Sequence, residues 1–350
     1  MLSYEIVEWG GALAPAERAT PVPTGTEVLV RVKCCGVCHS DVHIRDGYFD
    51  LGGGRKFMMG DRGMKLPLTM GHETYGTVIA AGPDAGTVPI GAERIVYPWI
   101  GCGKCARCLE GDDNLCANMQ SIGIQRPGGY ADHVIVPHPK YLVDPQGVDP
   151  AIAATLACSG ITTYSAVGKL MPFAPEDWIL VLGAGGLGLL CLSVLRAMDH
   201  KNIVSVDIDP KKFAAAKAAG AAETLDARDE GALKQLQKIA GGNVYGALDF
   251  VGSTETAKLG IAALRKGGRY VVVGLFGGEI QMGIVPLAQR AITIEGSYVG
   301  NLSDLKDMVA LASSRKLAPI PIERRPMAEV DRALSELKAG KIVGRVVVEA

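Results

Sequence analysis

A glycine-rich turn at residues 183–188 constrains the fold more strongly than any other feature of this sequence. It reads Gly-Ala-Gly-Gly-Leu-Gly, follows the apolar stretch 178–182 and opens a second apolar stretch at 187–198. Residues 178–195 form an uncharged run as long as a membrane span, but the glycines interrupt it near its middle. We therefore expect a buried strand that passes through a tight turn into a buried helix.

The same strand–helix alternation continues after the glycine-rich turn. Asp209 and Pro210 predict the start of a helix that Gly220 ends. Nearly continuous apolar strands between helices are typical of a parallel sheet that is covered on both faces. The predicted strands after the turn are 203–206, 247–251, 270–273 and 292–294, and the predicted helices are 211–219 and 254–264.

The first part of the chain, to about residue 150, has the pattern of a β-rich unit instead. Short strands are predicted at 28–32, 74–81 and 94–97, separated by glycine and proline turns. Residues 51–65 are glycine-rich and polar, and we expect a surface loop there. The last segment adds helices at 303–314, with Ser303 as the N-cap, and at 327–339, followed by a strand at 342–348.

Composition excludes several classes of function. The 350 residues carry a net charge of −1, and no run of basic residues exceeds two, so nucleic acid is not expected as a partner. The N-terminus lacks a basic segment ahead of an apolar core, so we expect neither a signal peptide nor a membrane partner. An odd number of cysteines, 9, fits reduced thiols in the cytoplasm, some of them metal-bound, better than a disulfide framework.

Four of the cysteines cluster within a short, glycine-containing segment. Cys102, Cys105, Cys108 and Cys116 offer four thiolates, which is the donor set of a closed, structural zinc site. Two disulfides would need an oxidising compartment. An iron–sulfur cluster matches the first three spacings, but the fourth spacing differs and no proline follows the last cysteine.

A second donor set is spread along the chain. Cys38, His72 with its neighbour Glu73, and Cys158 could supply two thiolates and one imidazole, which leaves one tetrahedral position open for a reacting ligand. The long spacing makes this signal weak by itself. Cys158 could be a small core residue, and His72 a histidine with ordinary hydrogen bonds.

The glycine-rich turn also fits a dinucleotide-binding motif, because Asp207 ends the next predicted strand. The glycines would let a pyrophosphate approach the backbone at the helix N-terminus. The Asp207 carboxylate would accept hydrogen bonds from the adenosine ribose and repel a 2′-phosphate. We therefore expect NAD rather than NADP; a tight turn beside a surface aspartate is the alternative.

Taken together, these residues resemble the zinc-dependent medium-chain alcohol dehydrogenases over essentially the whole chain. The resemblance rests on Cys-Gly-Val-Cys-His-Ser-Asp at 35–41, Gly-His-Glu at 71–73, the four-cysteine segment, the glycine motif and Asp207. It implies an α/β fold with a Rossmann-type, doubly wound NAD-binding domain at 156–295. It also implies a β-rich GroES-like catalytic domain at 1–155 and 296–350, with the structural zinc lobe at about 98–118.

The resemblance implies that Cys38, His72 and Cys158 hold a catalytic zinc ion, with Glu73 behind it, and that the four-cysteine segment holds a second, structural zinc. Asp41 would orient His72. Ser40 would take the proton of the substrate and His43 would pass it to solvent. Tyr48 and Trp99 stand at substrate-pocket positions. The implied coenzyme contacts are His39 and Arg345 at the pyrophosphate, Thr162 near the nicotinamide, Lys212 beside the ribose, and Gly183, Gly185, Gly186, Leu187, Gly188, Asp207 and Val273.

The implied activity is reversible, NAD-dependent oxidation of primary or secondary alcohols, by a homo-oligomer for which a tetramer is favoured over a dimer. A polyol dehydrogenase often has a carboxylate in place of the second catalytic cysteine, so Cys158 argues against it. Complete metal sites argue against a zinc-free reductase. Ser40 and His43 argue against a non-catalytic zinc or redox sensor. The chain departs from the family in the extra length at 51–65, which could shape the substrate entrance, contact another subunit or be inert.

Overall fold

The structure, a computed structural model, describes the backbone of residues 1–350 and every side chain except that of Arg62. Its strands are β1 (Leu2–Ile6), β2 (Ala14–Glu17), β3 (Val28–Val37), β4 (Tyr48–Asp50), β5 (Lys56–Met58), β6 (Leu68–Thr69), β7 (Glu73–Ala81), β8 (Glu93–Val96), β9 (His133–Val136), β10 (Leu142–Val143), β11 (Trp178–Leu182), β12 (Ile203–Asp207), β13 (Glu223–Asp226), β14 (Val244–Asp249), β15 (Leu264–Val272), β16 (Thr293–Gly296), β17 (Ile322–Pro326) and β18 (Arg345–Glu349).

Its α-helices are α1 (His39–Asp46), α2 (Ala106–Glu110), α3 (Pro150–Thr155), α4 (Ile161–Leu170), α5 (Gly186–Ala197), α6 (Phe213–Ala219), α7 (Ala232–Ala240), α8 (Thr254–Ala263), α9 (Ile284–Arg290), α10 (Leu302–Ser313) and α11 (Val330–Lys338).

The second half of the chain forms a six-stranded sheet in the order β13-β12-β11-β14-β15-β16, with every neighbouring pair parallel. Strand β11 lies at its centre. Its residues alternate between two apolar clusters, because Ile179 and Val181 pack into one and Leu180 and Leu182 into the other. The sheet is therefore covered on both faces, which confirms the predicted doubly wound architecture.

The first half forms an antiparallel sheet that the end of the chain completes. The order is β10-β8-β7-β3-β18-β17, and β9 also pairs with β3. Strand β18 runs antiparallel to β3 and pairs Val346 with Val37. This pairing joins the C-terminal segment to the N-terminal one, in keeping with the grouping of 296–350 with 1–155, although the domain limits themselves stay a prediction.

A long apolar helical segment, Pro150–Leu170, joins the two halves. It comprises α3, a π-helical turn at Leu156–Gly160, and α4. Its length and hydropathy would suit a membrane span, but 78% of its apolar window is buried inside the fold, as expected of a core helix. The π turn widens the helix at Cys158, and such turns occur often at functional sites.

Several element boundaries differ from those predicted. Helix α10 is capped by Asn301, whose side chain accepts from Asp304 N, so the prediction of Ser303 as the N-cap is wrong. Both Asn and Ser suit this position, and local sequence does not choose between them. The prediction omits strand β13, which is short and mostly polar, and helix α7, although apolar residues at 232, 233, 236, 239 and 240 have the spacing of an amphipathic helix.

The prediction of a surface loop at 51–65 is confirmed for the exposure, since most of the described residues are exposed, but the irregular conformation is wrong. Residues 48–58 form an antiparallel hairpin, β4–β5, in which Phe49 pairs with Phe57. Met59 and Met64 are buried, with 2% and 7% exposure. The segment therefore packs against the body of the protein, which its glycine-rich, polar composition does not reveal.

Candidate metal and coenzyme site

The structure brings Cys38, His72, Glu73 and Cys158 together in one buried cluster. Their ligand atoms all lie within 4.8 Å of one another. Cys38 caps α1 at the end of β3, His72 directly precedes β7, and Cys158 lies in the π turn. Three separate segments thus bring their ligand atoms to a site that one metal ion would fill. No single stretch of the sequence encodes this convergence.

Asp41 holds two members of this cluster in place. Its Oδ1 lies 3.0 Å from His72 Nδ1, and its Oδ2 accepts a hydrogen bond from Cys38 N at 3.0 Å. Tyr130 Oη donates to the same Oδ2 at 2.8 Å. Because Asp41 fixes Nδ1, His72 presents Nε2 to the cluster. Among the described side chains, this buried Nε2 has no hydrogen-bond partner, as expected of a metal ligand.

The thiols of the cluster have opposed pKa shifts. Hydrogen bonding to Cys158, together with the charges of His72 and Arg345, outweighs burial and holds the pKa of Cys38 well below its usual value. The Cys38 thiolate and burial together raise the pKa of Cys158 well above its usual value. Both sulfurs can be thiolates together only beside a compensating cation, and a divalent metal with a tetrahedral preference fits two sulfurs and one imidazole.

Glu73 lies behind the cluster and pairs with Arg345. The two side chains are 0% and 4% exposed, and Glu73 Oε1 accepts from Ser159 N at 3.1 Å. Burial raises the pKa of Glu73 to about 7, although the Arg345 guanidinium opposes this shift. Arg345 also packs on the glycine-rich turn, where a Cβ at Gly186 would overlap its side chain. It therefore connects the metal cluster to the predicted coenzyme site.

The four-cysteine segment forms a second cluster. The sulfur atoms of Cys102, Cys105, Cys108 and Cys116 lie within 4.8 Å of one another, and all nine cysteines are free of disulfides. Backbone N–H groups of Lys104 and Cys105 lower the pKa of Cys102 to about 6. Four converging sulfurs, with no position left for a reacting ligand, fit a structural zinc site.

The glycine-rich turn forms a cradle at the N-terminus of α5. A Cβ at Gly188 would overlap the carbonyl oxygen of Gly183, so only glycine allows this close packing of turn and helix. Asp207 ends β12 beside the turn, and its Oδ2 accepts from Ala184 N at 2.7 Å. Lys212 Nζ lies 3.1 Å from Asp207 Oδ1. The residues present fit a dinucleotide: an open helix N-terminus for the pyrophosphate and a carboxylate for the ribose.

One cavity of about 790 Å³ connects the metal cluster with this cradle. It is large enough for a dinucleotide and a small substrate side by side. Ser40 and His43 lie one helical turn apart on α1 and both line it. Burial, and then the neighbouring His39, lower the pKa of His43. The predicted site residues along its wall are Cys38, His39, Ser40, His43, Trp99, Cys158, Thr162, Gly183, Gly185, Gly186, Leu187, Gly188, Asp207, Lys212, Val273 and Arg345.

The two aromatic residues predicted for the substrate pocket are placed differently. Trp99 lines the cavity, with its ring 5.6 Å from that of His72 and its Nε1 donating to Ala157 O at 3.1 Å. Tyr48 is not among the described residues that line it; Lys56 Nζ lies 3.8 Å above the Tyr48 ring. Its neighbour Phe49 lines the cavity instead, because successive residues of a strand point to opposite faces.

Sequence reasoning missed several residues of this site. Tyr130 supports Asp41, and Phe57, Met59 and Met64 line the cavity. No local motif marks these residues. A pattern of alternating apolar residues around Phe49 and Phe57 was the available signal for the hairpin, but its glycine-rich turn obscured it.

Comparison with known proteins agrees with this geometry. Residues 24–145 match the family model "Alcohol dehydrogenase GroES-like domain", and residues 186–314 match "Zinc-binding dehydrogenase". The chain is 36% identical to an NAD-dependent alcohol dehydrogenase of Saccharolobus solfataricus, over 99% of both chains. It is 31% identical to an alcohol dehydrogenase of Geobacillus stearothermophilus, over 100% of this chain and 99% of the relative.

Solved structures are similar over the same length. An alcohol dehydrogenase from Aeropyrum pernix superimposes with a TM-score of 0.90 at 28% identity and covers 100% of both chains. A D-arabinose dehydrogenase from Sulfolobus solfataricus gives a TM-score of 0.84 at 27% identity and covers 100% of this chain and 99% of its own. The predicted pairing of a GroES-like unit with a Rossmann-type sheet is thereby confirmed.

Proposed function

Because the chain belongs to the zinc-dependent medium-chain alcohol dehydrogenase family, we propose that it oxidises primary or secondary alcohols reversibly and transfers the hydride to NAD. The observation that carries the proposal is a single cavity whose two walls carry different functional groups. One wall presents the sulfurs of Cys38 and Cys158, and the other presents the glycine cradle and Asp207. A small alcohol between them would meet both the metal and the coenzyme.

Two zinc ions per chain are part of the proposal. Cys38, His72 and Cys158 would hold the catalytic ion, with Glu73 behind it, and Cys102, Cys105, Cys108 and Cys116 would hold the structural ion. The donor chemistry supports both assignments, since the first set leaves one position open and the second closes the shell. The orphaned Nε2 of His72 supports the first assignment independently.

When bound, zinc supplies a Lewis acid for the alcohol oxygen and NAD supplies the hydride acceptor. The chain positions both groups. Asp41 keeps His72 in the tautomer that frees Nε2. Asp207 and Lys212 would contact the adenosine ribose, and His39 and Arg345 would contact the pyrophosphate; the proposal is supported by the fact that all four line the cavity. Thr162 and Val273 line the part of the cavity proposed for the nicotinamide.

The proton of the alcohol would leave through Ser40 and His43. Both line the cavity from one face of α1. Since the pKa of His43 is lowered from its ordinary value of 6.5, its imidazole is neutral at pH 7 and can accept a proton. Its ring lies 5.0 Å from that of Phe49 at the cavity wall.

The lining favours alcohols with apolar substituents. Trp99, Phe49, Phe57 and Met64 line the cavity. The indole N–H of Trp99 already donates to Ala157 O, and the other three side chains offer a polyol no strong hydrogen bond. The similar D-arabinose dehydrogenase makes polyol or sugar oxidation the second candidate. Cys158, where a carboxylate would be expected, argues against it. A non-catalytic sensor is the third, and Ser40 with His43 argues against that reading.

A homo-oligomer, with a tetramer favoured over a dimer, is also part of the proposal. Strand β16 is an edge of the parallel sheet, and Ile284 and Val285 of the neighbouring α9 are 84% and 63% exposed. An unpaired edge beside exposed apolar side chains favours pairing with a second copy. The free thiols of the metal sites favour a reducing, cytoplasmic location.

A panel of aliphatic, aromatic, cyclic and polyol alcohols, offered with NAD or NADP, tests the function directly through formation of reduced coenzyme. We expect turnover of apolar secondary or aromatic alcohols with NAD, and little with polyols. Turnover confined to polyols would support the second candidate. Zinc in the protein and coenzyme binding without turnover of any alcohol would support the sensor.

A further inference from the structure

A short turn between β16 and α10 lines the cavity with three consecutive residues. This wall turn, residues 297–300, contributes Ser297, Tyr298 and Val299 to the lining. In an extended chain, successive residues point to opposite faces, so a regular continuation of β16 would turn alternate side chains away from the cavity. The presentation of three neighbours to one cavity therefore requires a break in the extended backbone.

The break lies at Val299, whose φ is +45°. The described backbone has positive φ at five non-glycine residues, and Val299 is the only β-branched one among them. A β-branched side chain in this left-handed region is strained, and such strain persists only where the surrounding structure holds it. The strain is comparable with the net contribution of one hydrogen bond. The contacts that hold the wall turn thus decide whether Val299 keeps this conformation.

Two side chains of the N-terminal unit hold the wall turn on either side of Val299. Asn114 donates from Nδ2 to Tyr298 O at 3.0 Å. Tyr97 donates from Oη to Gly300 O at 2.9 Å. Asn114 and Tyr97 are 8% and 0% exposed, so both hydrogen bonds are shielded from bulk water. Removing either donor would leave a shielded carbonyl oxygen without its partner, which costs more than the bond contributes on formation.

The wall turn lies on the metal side of the cavity. The Tyr298 ring meets the Trp99 ring edge-on, with 6.0 Å between their centroids. Trp99 lies 5.6 Å from the His72 ring, and its Nε1 donates to Ala157 O, next to Cys158. Trp99 is thus fixed beside two of the metal-site residues, and the backbone of the wall turn sets the position of Tyr298 against it.

We infer that Asn114 is a positioning residue for substrate selectivity. Its hydrogen bond keeps the strained wall turn in place, and the turn holds Tyr298 against Trp99 as the wall that large alcohols contact. This inference rests on the proposed function for the identity of the substrate. It also gives the four-cysteine segment, in which Asn114 lies, a role in the shape of the cavity in addition to its role in stability.

The size of the alcohol decides how strongly it depends on this wall. Ethanol has little surface to place against Tyr298, whereas benzyl alcohol has an aromatic ring. Without the hydrogen bond from Asn114, Val299 can return to a negative φ, and Tyr298 moves away from Trp99. The lost contact weakens the bound alcohol and its transition state alike, so KM should rise while kcat stays the same.

Steady-state kinetics at saturating NAD, with benzyl alcohol and with ethanol, test this role. For Asn114→Ala we expect the KM for benzyl alcohol to rise about tenfold, equivalent to ~1.4 kcal/mol. Its kcat, and both constants for ethanol, should stay within about twofold of wild type. Tyr97→Phe removes the second hydrogen bond at almost unchanged volume. It should raise the same KM about threefold and provides the test should Asn114→Ala fold poorly.

Lys140→Met is the matched control for a loss of stability in the same segment. Lys140 Nζ pairs with Asp113, the neighbour of Asn114, at 3.0 Å. Its loss weakens the segment without removing a hydrogen bond to the wall turn, so stability should fall while both KM values stay at those of wild type. In a Tyr298→Ala background, Asn114→Ala should change the KM for benzyl alcohol less than about twofold, because the ring through which it acts is gone.

Crystal structures of wild type and Asn114→Ala provide a measurement that does not depend on activity. In the variant we expect Val299 at a negative φ and the Tyr298 ring displaced from Trp99. A wall turn identical in the two structures would overturn the inference.

Three kinetic results would overturn it as well. One is an unchanged KM for benzyl alcohol in both Asn114→Ala and Tyr97→Phe. The second is an equal rise of this KM in Lys140→Met, and the third is an undiminished effect in the Tyr298→Ala background. Failure of the proposed function has a different signature: wild-type protein would oxidise no alcohol of the panel, and the crystal structures would still decide whether Asn114 holds the wall turn.

Discussion

Replacing Asp41 with alanine should weaken the catalytic metal site far more than the loss of one hydrogen bond suggests. The carboxylate accepts from Cys38 N and Tyr130 Oη and orients His72 Nδ1, and its side chain is 0% exposed. Asp41→Ala leaves three buried donors without their acceptor. At ~1 kcal/mol for each donor, the free energy of unfolding should fall by about 3 kcal/mol.

Metal binding should respond as well, because His72 loses the group that fixes its ring. The dissociation constant of the catalytic zinc should rise about 10- to 100-fold. Competition with a chromogenic chelator measures it, and the four-cysteine site serves as the internal reference because Asp41 is not among its donors. Denaturant titration measures the stability of the same preparations.

Tyr130→Phe is the matched control, since it removes one donor to Asp41 and leaves both contacts with the metal ligands. We expect about 1 kcal/mol of destabilisation and unchanged zinc affinity. If Asp41→Ala kept wild-type zinc affinity, or if Tyr130→Phe lost zinc equally, the assignment of Asp41 as the orienting group would be refuted.

Three further predictions follow from other parts of the structure. Cys116→Ser should reduce the metal content from two ions to one per chain and lower the melting temperature, while NADH still binds. Metal analysis and calorimetry measure the first two effects, and an unchanged metal content would contradict the structural-zinc assignment. Asp207→Ser removes the carboxylate beside Ala184 N, which would bind the adenosine ribose of NAD and repel the 2′-phosphate of NADP. The ratio of kcat/KM for NAD to that for NADP should therefore fall about 10- to 100-fold. An unchanged ratio would mean that other residues distinguish the two coenzymes. Burial lowers the pKa of His200, so the unfolded chain binds a proton at this imidazole more readily than the folded protein, and the group destabilises the fold as the pH falls through about 6.5. His200→Leu should therefore make the free energy of unfolding decline less steeply between about pH 7 and 5, by up to ~1 kcal/mol per pH unit. An identical slope for the two proteins in denaturant titrations would contradict this.

The fold was predictable where local pattern and tertiary environment agree. Strand β11 (Trp178–Leu182) occupies the residues expected, because a fully buried strand leaves a continuous apolar run bounded by a glycine turn. The four-cysteine donor set was also predictable, since four thiols at these spacings have few other uses, whereas the long spacing of Cys38, His72 and Cys158 is a weak signal that only the family resemblance strengthened. The structure gathers each set within 4.8 Å.

The remaining features depend on contacts that local sequence does not record. Whether Tyr48 or Phe49 faces the cavity depends on the register of the hairpin, because a shift of one residue turns every side chain of the strand to the opposite face. The support that Tyr130 gives to Asp41 joins residues far apart in the chain. The turn of the hairpin is glycine-rich because its glycines have positive φ angles, and because a Cβ at Gly52 would overlap Glu279 and the Gly278 carbonyl oxygen.

Single-turnover reduction of NAD by wild-type protein and by Cys38→Ala tests the central claim most directly. Each protein is saturated with NAD, mixed with a good alcohol substrate, and followed by the absorbance of reduced coenzyme. We predict rapid formation of NADH by the wild type and none by Cys38→Ala, with the NAD dissociation constants of the two proteins within about twofold. Formation of NADH by Cys38→Ala at the wild-type rate would contradict the assignment of this cluster as the catalytic metal site.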